Sequence, residues 1–359
     1  MIQDTRLRIV FLYAEVVGYV VGMLKALAKC KPVRGIDVVF WDKKHINSSR
    51  FEIKEEIDLV KFHARSSFTD NGLIDLLHTR NPEIVFVSGW MDKGYLRAIR
   101  SYRSEGGVAQ VVCGIDDQWE STLRQHLGRI YFRLRYSRLF DFMWVSGKPQ
   151  YHYAQRLGYD RERIITNLYS ADNEVFFKKS TFSKRFVFIG RFDPVKAVDQ
   201  LLDAYLSLPG DVQTEWPLVL IGDGQLKEYI EGRKTKSIHV KPFMQPHALM
   251  EELMIGGVAC IPSQHEQWGV AIHEMAILGF PLVLSSACGA ATEFLISGYN
   301  GFLFRRGNTS SVRDALLRIT MLSGQELELF SQRSHSLGKR ITSEHTAYSL
   351  LSVIPLSRI

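Results

Sequence analysis

The chain has 359 residues, of which 46% are hydrophobic and 23% are charged. This composition excludes a disordered or fibrous protein, and the length suggests two domains. The four cysteines are scattered without a C-x-x-C pair, which disfavours a zinc or dithiol motif and fits a reducing compartment. The net charge of +7 lies wholly in residues 1–170, which contain 26 Lys and Arg and 19 Asp and Glu. This excess of positive charge favours an anionic membrane, a nucleic acid or a polyanionic substrate as partner.

The first apolar segment, residues 8–29, superficially resembles a signal peptide or a membrane span. Glu15 and Lys25 interrupt the apolar run, and no small-residue cleavage site follows. We therefore predict a buried strand, a loop and a helix for this segment, and a cytoplasmic protein.

Short apolar runs rich in Val, Ile and Phe alternate with stretches of helical period along the whole chain. The predicted strands are 7–13, 36–41, 83–90, 109–115 and 141–147 in the first half, and 185–191, 217–224, 237–243, 256–263 and 280–286 in the second. Near-continuous apolar strands separated by helices are typical of parallel sheets covered on both faces. We predict an α/β fold of two doubly wound domains, with ligands at the carboxyl ends of the strands.

A stretch of small and polar residues at 167–185 separates the two series of strands. We therefore predict an N-terminal domain at 1–170 and a second domain that begins at residue 171. From about residue 310 the pattern is helical to the end of the chain.

Two acidic residues, Asp116 and Asp117, follow a predicted strand directly, and Trp119 comes shortly after them. An Asp at the carboxyl end of a strand can accept the proton of a reacting hydroxyl or hold a sugar hydroxyl. The indole offers a flat face to a sugar ring. The alternative is an Asp that caps the next helix, and the residues alone leave both interpretations open.

Residues 123–140 carry five arginines and no acid, mixed with large apolar and aromatic side chains. Basic and apolar residues on one helix suit an anionic membrane surface, where we expect Arg129, Arg133 and Arg135. A plain solvated face is the alternative. Nucleic acid is disfavoured as a partner because no nucleic-acid motif occurs elsewhere in the chain.

The stretch FVFIGRFDPVKAVDQLLDAY, residues 186–205, predicts a strand, a turn and an amphipathic helix. Arg191 follows the strand and Lys196 stands at the helix start. Two cations beside the N–H groups of a helix N-terminus form a phosphate site, with ordinary surface charges as the alternative. The next strand ends at Gly222 and Gly224, which we interpret as structural because G-x-G without a third glycine is weak evidence for a dinucleotide site.

The segment HEQWGVAIHEMAIL, residues 265–278, turns from a polar loop into an apolar helix and carries Glu266 and Glu274. Gly269 allows close backbone approach, and the N–H groups of 267–270 would face an anion at the helix start. The two carboxylates can accept hydrogen bonds from sugar hydroxyls. We interpret the segment as a sugar-nucleotide site, with ordinary solvation and stabilisation of the helix dipole as the alternative.

In chain order these stretches contain G-R-x4-K, I-G-D-G, P-S-x-x-E-x-x-G-x4-E and G-F-P-L-V. Together they resemble the retaining glycosyltransferases of family 4, strongly over residues 185–305 and only in topology over most of the first half. The resemblance implies the GT-B fold, in which two Rossmann-like domains face a central cleft. It also implies a donor domain at 171–335, a helical segment at 336–359 that packs back on the N-terminal domain, and a reaction that needs neither a catalytic metal nor a cofactor besides the UDP-sugar or GDP-sugar.

Carried over residue by residue, the resemblance implies that Arg191 and Lys196 hold the donor diphosphate and that Glu274 holds the ribose hydroxyls. Glu266 would hold the donor sugar, and Phe243 matches the stretch that borders the nucleobase. Four residues complete the implied donor site, mainly through their amides: Gln267, Trp268, Gly269 and Val270. The implied catalytic residues are Glu266, Asp116, Arg191 and Lys196, because the cations and the helix dipole offset the charge of the leaving group.

Several positions depart from the family pattern. The turn after the first strand keeps only Gly18 of a common Gly-Gly pair, which makes it a weak candidate for acceptor or sugar contact together with Asp117 and Trp119. Trp268 replaces a smaller aromatic residue and either shapes the sugar pocket or packs, and Ala197 replaces the usual glycine after the lysine. The D-x-Q-W stretch that begins at Asp116 is similar to that of members that build bacterial surface polysaccharides.

We therefore expect a retaining, metal-independent hexosyltransferase that uses a nucleotide-diphosphate sugar and a saccharide or lipid-linked acceptor at the inner face of a membrane, in surface polysaccharide or glycoconjugate synthesis. One alternative is a GT-B-fold nucleotide-sugar epimerase, which uses the same donor without an acceptor. The other is a non-catalytic polysaccharide or nucleic-acid binding protein, against which the four intact donor residues weigh. No histidines have metal-ligand spacing, so no metal site is predicted.

Overall fold

The computed structural model of the chain describes residues 6–42 and 56–355. These residues pack as two units. Unit 1 combines the described residues of Met1–Asp172 and Thr342–Ile359, and unit 2 is Asn173–Ile341. The predicted limits at 170/171 and 335/336 differ from these packing limits, and the three predicted segments remain a prediction.

Within the described residues, unit 1 is built on a seven-stranded parallel sheet covered by helices. Its strands are β1 (Leu7–Tyr13), β2 (Val33–Phe40), β3 (Val60–Ala64), β4 (Ile84–Val87), β5 (Gln110–Ile115), β6 (Phe142–Val145) and β7 (Ile164–Ile165). The helices between them are α1 (Gly18–Ala28), α2 (Asp70–Arg80), α3 (Lys93–Ser104), α4 (Leu123–Arg135) and α5 (Lys148–Leu157). The strand order is β3-β2-β1-β4-β5-β6-β7, which begins with the order of a doubly wound nucleotide-binding domain.

β1 shows why the strands have continuous apolar sequences. Val10 and Leu12 pack into the hydrophobic core on one face of the sheet, while Ile9 and Phe11 pack into the core on the other face. Because successive side chains of a strand point to opposite faces and both faces are covered, every position in the middle of the strand must be apolar.

Unit 2, whose backbone the structure describes throughout, has a six-stranded parallel sheet of the order β10-β9-β8-β11-β12-β13. The strands are β8 (Phe186–Ile189), β9 (Leu218–Ile221), β10 (Ile238–Lys241), β11 (Val258–Ile261), β12 (Leu282–Ser285) and β13 (Gly301–Phe304). The helices are α6 (Val198–Leu206), α7 (Gly210–Glu215), α8 (Lys227–Glu231), α9 (Pro246–Leu253), α10 (Val270–Ile277), α11 (Ala291–Phe294), α12 (Thr309–Thr320) and α13 (Gly324–Gly338). Both units therefore share one doubly wound order.

The last helix, α14 (Ser343–Leu351), belongs to unit 1. Its Ala347 and Leu350 are buried in the same hydrophobic core as Val20 of α1. The segment 336–359, expected to return to the first domain, is thus divided between the units. Its residues up to 341 pack with unit 2, and α14 packs against α1.

The predicted α/β fold with two doubly wound parallel sheets is confirmed, and each predicted strand forms. In the described part of the chain, β3, β7 and β13 are strands that we did not predict, and each lies at an edge of its sheet. Edge strands are short or partly exposed; no residue of β3, all of which is described, is buried. β3 and the two-residue β7 therefore lack the long apolar run that marks a central strand, whereas β13 is apolar but only four residues long.

Residues 8–29 form β1, a loop and α1, as predicted. In the two described ranges, no helix has the length and apolar character that crossing a bilayer requires. All four cysteines are free and buried, and they therefore pack as small core side chains.

Candidate functional site

A group of predicted site residues lies at the point where the strand order of unit 2 reverses. β8 and β11 are neighbours in the sheet, but the chain leads from β8 to β9 on one side and from β11 to β12 on the other. Such a switch point leaves a crevice outside the carboxyl ends of the strands, where doubly wound folds bind ligands. The loops at 190–197 and 262–269, which carry Arg191, Lys196 and Glu266, follow these two strands.

Lys196 and Glu266 form an ion pair between these two loops. The lysine Nζ donates to Glu266 Oε2 at 2.5 Å, and the two side chains are 22% and 14% exposed. Ser263 Oγ donates to the same carboxylate oxygen at 3.2 Å. The pair therefore places one positive and one negative group side by side at the switch point, both partly accessible to a ligand.

Main-chain hydrogen bonds hold the loop that carries Glu266. The N–H of Gln264 donates to the carbonyl of Val195 at 2.8 Å, which ties this loop to the turn that ends at Lys196. The N–H of Gly289 donates to the carbonyl of Glu266 at 3.0 Å, which ties it to the loop after β12. The carboxylate is thus held by a rigid frame on both sides.

Ala197, which follows the lysine, has the left-handed conformation, with φ 52° and ψ 34°. This backbone conformation costs a residue other than glycine roughly 1–2 kcal/mol. The Cβ of Ala197 is fully buried, and burial of one methyl group returns about 0.8 kcal/mol. The exchange of the usual glycine for alanine is therefore tolerated with little distortion of the turn.

Gly269 lies between the loop and α10 with φ 91°, a conformation that favours glycine. A Cβ on Gly269 would lie 2.9 Å from Glu266 Cγ, so the absence of a side chain lets the helix start close to the carboxylate. α10 has no side-chain hydrogen bond at its N-terminus. The N–H of Val270 at its start therefore suits an anionic ligand, together with the amides of 267–269 that the resemblance implies.

α10 is held against α13 by a close helix contact and a buried histidine. A Cβ on Gly338 would lie 2.5 Å from Ile277 N, so the approach depends on glycine. His273 Nε2 lies 2.8 Å from the carbonyl of Gly338 and donates to it, and its ring stacks on Phe294 at 4.2 Å. These contacts fix the helix that carries the half-buried Glu274.

This histidine makes stability depend on pH. Burial lowers the pKa of His273 to about 4, although its hydrogen bonds to two backbone carbonyls act in the opposite direction. An imidazole in the unfolded chain has a pKa of about 6.5. Between these values the unfolded state binds one proton more, so stability falls as the pH falls. At about 1.36 kcal/mol per pH unit, we expect a loss of about 3 kcal/mol near pH 4, measured by urea unfolding over this range.

The comparison variant is His273→Gln, which keeps a donor for the carbonyl of Gly338. Its free energy of unfolding should fall less steeply with falling pH than that of the wild type, because the unfolded chain no longer binds a proton at position 273. His247→Gln, at an exposed position of α9, should keep the wild-type slope. Equal slopes for His273→Gln and the wild type would show that His273 is not the group responsible.

Two further predicted donor residues are more exposed. The Arg191 guanidinium, with 48% of its side chain exposed, pairs with Asp193 at 3.1 Å. Phe243 follows β10 and is 44% exposed. Both side chains therefore have room to turn toward a ligand.

Trp268 does not present its ring to an open site. Its side chain is 2% exposed and packs on Phe294, with 6.2 Å between the ring centroids. Of the two interpretations of this residue, packing fits the structure and a pocket-lining indole does not, because the neighbouring core encloses the ring. Only its main chain remains for the donor contact that we predicted, beside the half-buried Gln267.

Gly222 and Gly224 bring the loop after β9 close to the loop after β8. A Cβ on Gly222 would lie 1.9 Å from the carbonyl oxygen of Gly190, and one on Gly224 would lie 2.8 Å from the backbone of Phe192. The two glycines therefore support the turn that carries Arg191, which agrees with a structural role.

In unit 1, Asp116 and Asp117 follow β5. Tyr169 Oη donates to Asp116 Oδ2 at 3.5 Å. Although part of Asp116 reaches solvent, desolvation by the surrounding protein raises its pKa, and the charge of Asp117 raises it further. The alternative in which Asp116 caps the next helix is wrong, because the chain continues as a loop to Thr122, whose side chain caps α4.

Trp119 is enclosed by its neighbours. The guanidinium of Arg156 lies over the indole at 5.3 Å from the ring centre, and the rings of His126 and Tyr153 lie at 4.9 and 5.4 Å. A sugar ring that stacked on this indole would compete with Arg156. Gly18 begins α1 just beyond the carboxyl end of β1.

Of the three arginines predicted at a membrane surface, Arg133 and Arg135 are exposed on α4. Arg129 is only partly exposed, and its Nε is buried without a hydrogen-bond partner. The prediction for Arg129 as a surface contact is therefore not supported, because its position on the helix turns it toward the protein.

Sequence reasoning missed the roles of Ser263 and Tyr169. Ser263 stood in the quoted P-S motif, but its hydrogen bond to Glu266 follows only from the shape of the loop. Tyr169 lay in the stretch 167–185 that we took as a boundary. In the described ranges, no group of three or more His, Cys, Asp or Glu is arranged to hold a metal ion.

The predicted GT-B fold is confirmed by the two Rossmann-like parallel sheets together with the solved structures that match this chain. Residues 172–333 match the family described as "Glycosyl transferases group 1". This stretch corresponds to nearly all of unit 2 and contains the whole Lys196–Glu266 site.

A curated relative is an uncharacterized glycosyltransferase of Methanocaldococcus jannaschii. It is 26% identical over 207 residues, which are 56% of this chain and 54% of the relative. The match therefore spans about half the length of that relative.

Solved structures match over almost the whole chain. HepE of Anabaena, in a complex with UDP and glucose, has a TM-score of 0.71 at 15% identity and covers 97% of this chain and 100% of its own. Sucrose-phosphate synthase of Thermosynechococcus elongatus has a TM-score of 0.72 at 14% identity and covers 97% and 98%. At these identities the similarity establishes the fold alone.

Proposed function

We propose that this protein is a retaining glycosyltransferase that moves a hexose-type sugar from a nucleotide-diphosphate sugar to a saccharide or lipid-linked acceptor. The observation that carries the proposal is the Lys196–Glu266 ion pair at the switch point of unit 2, beside an α10 N-terminus without a side-chain cap. The match of residues 172–333 to the group 1 glycosyltransferases supports the reaction class.

The site offers a complementary group for each part of such a donor. Lys196 and Arg191 would bind the diphosphate, and the N–H groups at the start of α10 would add hydrogen-bond donors. Glu274 would accept the ribose hydroxyls, and Phe243 would border the base. A UDP-sugar is the first donor to test because HepE of Anabaena was solved with UDP and glucose, and a GDP-sugar is the second.

Donor binding would change the partner of Lys196. Its Nζ now donates to Glu266 at 2.5 Å. A diphosphate carries more negative charge than one carboxylate and therefore competes for the ammonium group. Glu266 would then be available to the hydroxyls of the donor sugar. The ion pair thus holds both side chains in position until the donor binds. The contact between Lys196 and Glu266 would then be replaced by one contact of Lys196 with the diphosphate and one of Glu266 with the sugar hydroxyls.

The same groups would assist the reaction. Negative charge grows on the diphosphate as the glycosidic bond breaks, and Lys196, Arg191 and the α10 dipole would offset it without a metal ion. Asp116 would accept the proton of the acceptor hydroxyl, and its raised pKa makes it a stronger base than an ordinary carboxylate. We propose retention of the anomeric configuration from the resemblance to family 4.

Asp117 and Gly18 are further candidates for acceptor contact in unit 1. The positive charge of residues 1–170 supports an anionic or lipid-linked acceptor. We place the reaction in surface polysaccharide or glycoconjugate synthesis at the inner face of a membrane, with anionic lipid rather than nucleic acid as the surrounding partner.

The experiment is a thermal-shift series with UDP, GDP, ADP and their sugars in the presence of EDTA. A ligand at a hundredfold excess over its Kd adds about 2.7 kcal/mol of stability, so the matching nucleotide should raise Tm clearly. Glu274→Ala should abolish the shift because the ribose contact is lost. Glu228→Ala, at an exposed position of α8, is the matched control and should keep the shift.

The outcomes separate the alternatives. If no nucleotide raises Tm with EDTA or with Mg²⁺, the donor site is wrong. If a nucleotide sugar binds and the configuration of its sugar changes without any acceptor, the epimerase alternative replaces the transferase. Transfer of labelled sugar to an added saccharide or lipid-linked acceptor supports the proposal.

A further inference from the structure

α4 presents large apolar side chains to solvent. The structure describes all of its residues, and among them Phe132 alone is buried. Four aliphatic side chains are between 54% and 84% exposed: Leu123, Leu127, Ile130 and Leu134. An isolated exposed leucine needs no explanation, but four on one short helix form a surface that water solvates poorly.

These four side chains, which we name the α4 stripe, lie on one line. With about 100° between successive helical residues, they fall within roughly 60° of each other around the helix axis. The buried Phe132 lies roughly 170° from the centre of the stripe by the same geometry. The stripe therefore points away from the core of unit 1, and Tyr131, which is 56% exposed, widens it on one side.

Positive charge borders the α4 stripe. Arg124 and Arg135 lie on one side of it and Arg133 on the other by the same helical geometry, and all three are exposed. The sequence from 121 to 140 contains no Asp or Glu. An apolar centre with cationic borders on both sides is the arrangement of a helix that lies in the interface of an anionic bilayer.

We infer that the α4 stripe docks on an anionic lipid bilayer, with its aliphatic side chains among the acyl chains and the bordering arginines at the lipid phosphates. A helix of 13 residues is about 20 Å long, which is too short to span a bilayer and suits a position in its plane. The excess of 26 basic over 19 acidic residues in 1–170 adds attraction to the same kind of surface.

Charge favours a lipid surface over the other partners. Two copies of this chain that met through the α4 stripe would bring the same arginines together, which like-charge repulsion opposes. A nucleic acid would use the arginines but would leave the aliphatic residues in water. The inference concerns a surface of unit 1 and does not depend on transferase activity.

The test is co-sedimentation of the full chain with vesicles of phosphatidylcholine plus phosphatidylglycerol, compared with phosphatidylcholine alone. The wild type should bind the anionic vesicles and dissociate as the salt concentration rises. Leu127→Glu/Leu134→Glu should weaken binding because the inserted residues become charged. Arg133→Glu/Arg135→Glu should weaken it by more than about tenfold, since each arginine near the surface contributes about 1 kcal/mol.

Matched pairs outside the α4 stripe control for the added charge. Val108→Glu/Met321→Glu changes two apolar residues that are 74% and 77% exposed, and Lys234→Glu/Lys236→Glu reverses two exposed lysines of unit 2. Both controls should bind much more tightly than the corresponding stripe variant. Equal losses in control and stripe variants, or no binding of the wild type to anionic vesicles, overturn the inference. The inference is also overturned if the wild type does not bind vesicles and forms a dimer that Leu127→Glu/Leu134→Glu dissociates.

Discussion

Replacement of Lys196 by alanine is expected to lower kcat/KM for sugar transfer by about 10²- to 10³-fold, which is roughly 3–4 kcal/mol of transition-state stabilisation. The diphosphate loses a cation that is only partly solvated, with 22% of its side chain exposed. It also meets the Glu266 carboxylate, now without its lysine, and the two negative groups repel each other. Initial-rate kinetics with the nucleotide sugar identified by thermal shift measure both effects.

A double variant separates the two effects. In Lys196→Ala/Glu266→Gln the repulsion is absent, so the nucleoside diphosphate should bind more tightly than it does to Lys196→Ala, while transfer stays slow. Lys227→Ala removes a lysine of α8 that is half exposed and lies 3.7 Å from Asp223, and it should leave transfer unchanged. If Lys196→Ala transferred sugar with the kcat/KM of the wild type, the ion pair would not be part of a donor site.

The central strands were predictable because the hydrophobic effect favours apolar side chains on both of their faces. β1 and β8 are covered on both faces, so the middle of each strand must be apolar. β3 is an edge strand whose residues are all partly exposed. It forms through backbone hydrogen bonds to β2, and such bonds do not require particular side chains, so the sequence contains no signal for this strand.

The candidate site was predictable where it is local and unpredictable where it depends on distant loops. Glu266 and Gly269 lie three residues apart around one helix start, and their spacing alone indicates a shared site. The bond between Lys196 and Glu266 joins residues 70 positions apart. Only the adjacency of β8 and β11 in the sheet brings them together, and the sequence motif does not contain that adjacency.

Side-chain direction explains the other differences. Trp268 has the flat ring of a sugar-binding residue, but the turn at Gly269 directs it into the core beside Phe294. Arg129 and Arg133 are four positions apart on α4 and differ in exposure because small differences in helical phase decide which side chain meets the core. Composition identified the basic apolar helix, whereas the structure was needed to show that its apolar residues face outward.

Replacement of Glu252 by alanine is expected to cost about 3–5 kcal/mol of stability, because it leaves a buried guanidinium without a counter-charge. Glu252 and Arg185 are both buried, and the guanidinium donates to Glu252 Oε1 at 2.5 Å and to the carbonyl of Gly256 at 2.6 Å. Burial opposes ionisation of Glu252, but hydrogen bonds from Lys241 and Arg185 outweigh it and lower its pKa. Urea-induced unfolding of the two proteins measures the difference.

The neighbouring Glu251 provides the control. It lies on the same helix with 73% of its side chain exposed, 3.5 Å from His247, and Glu251→Ala should cost less than about 1 kcal/mol. Arg185→Met/Glu252→Leu removes both buried charges and should recover most of the stability that Glu252→Ala loses, since Lys241 is 34% exposed and can turn to solvent. If Glu252→Ala were no more costly than Glu251→Ala, the contact that joins the start of β8 to the end of α9 would contribute nothing to unit 2.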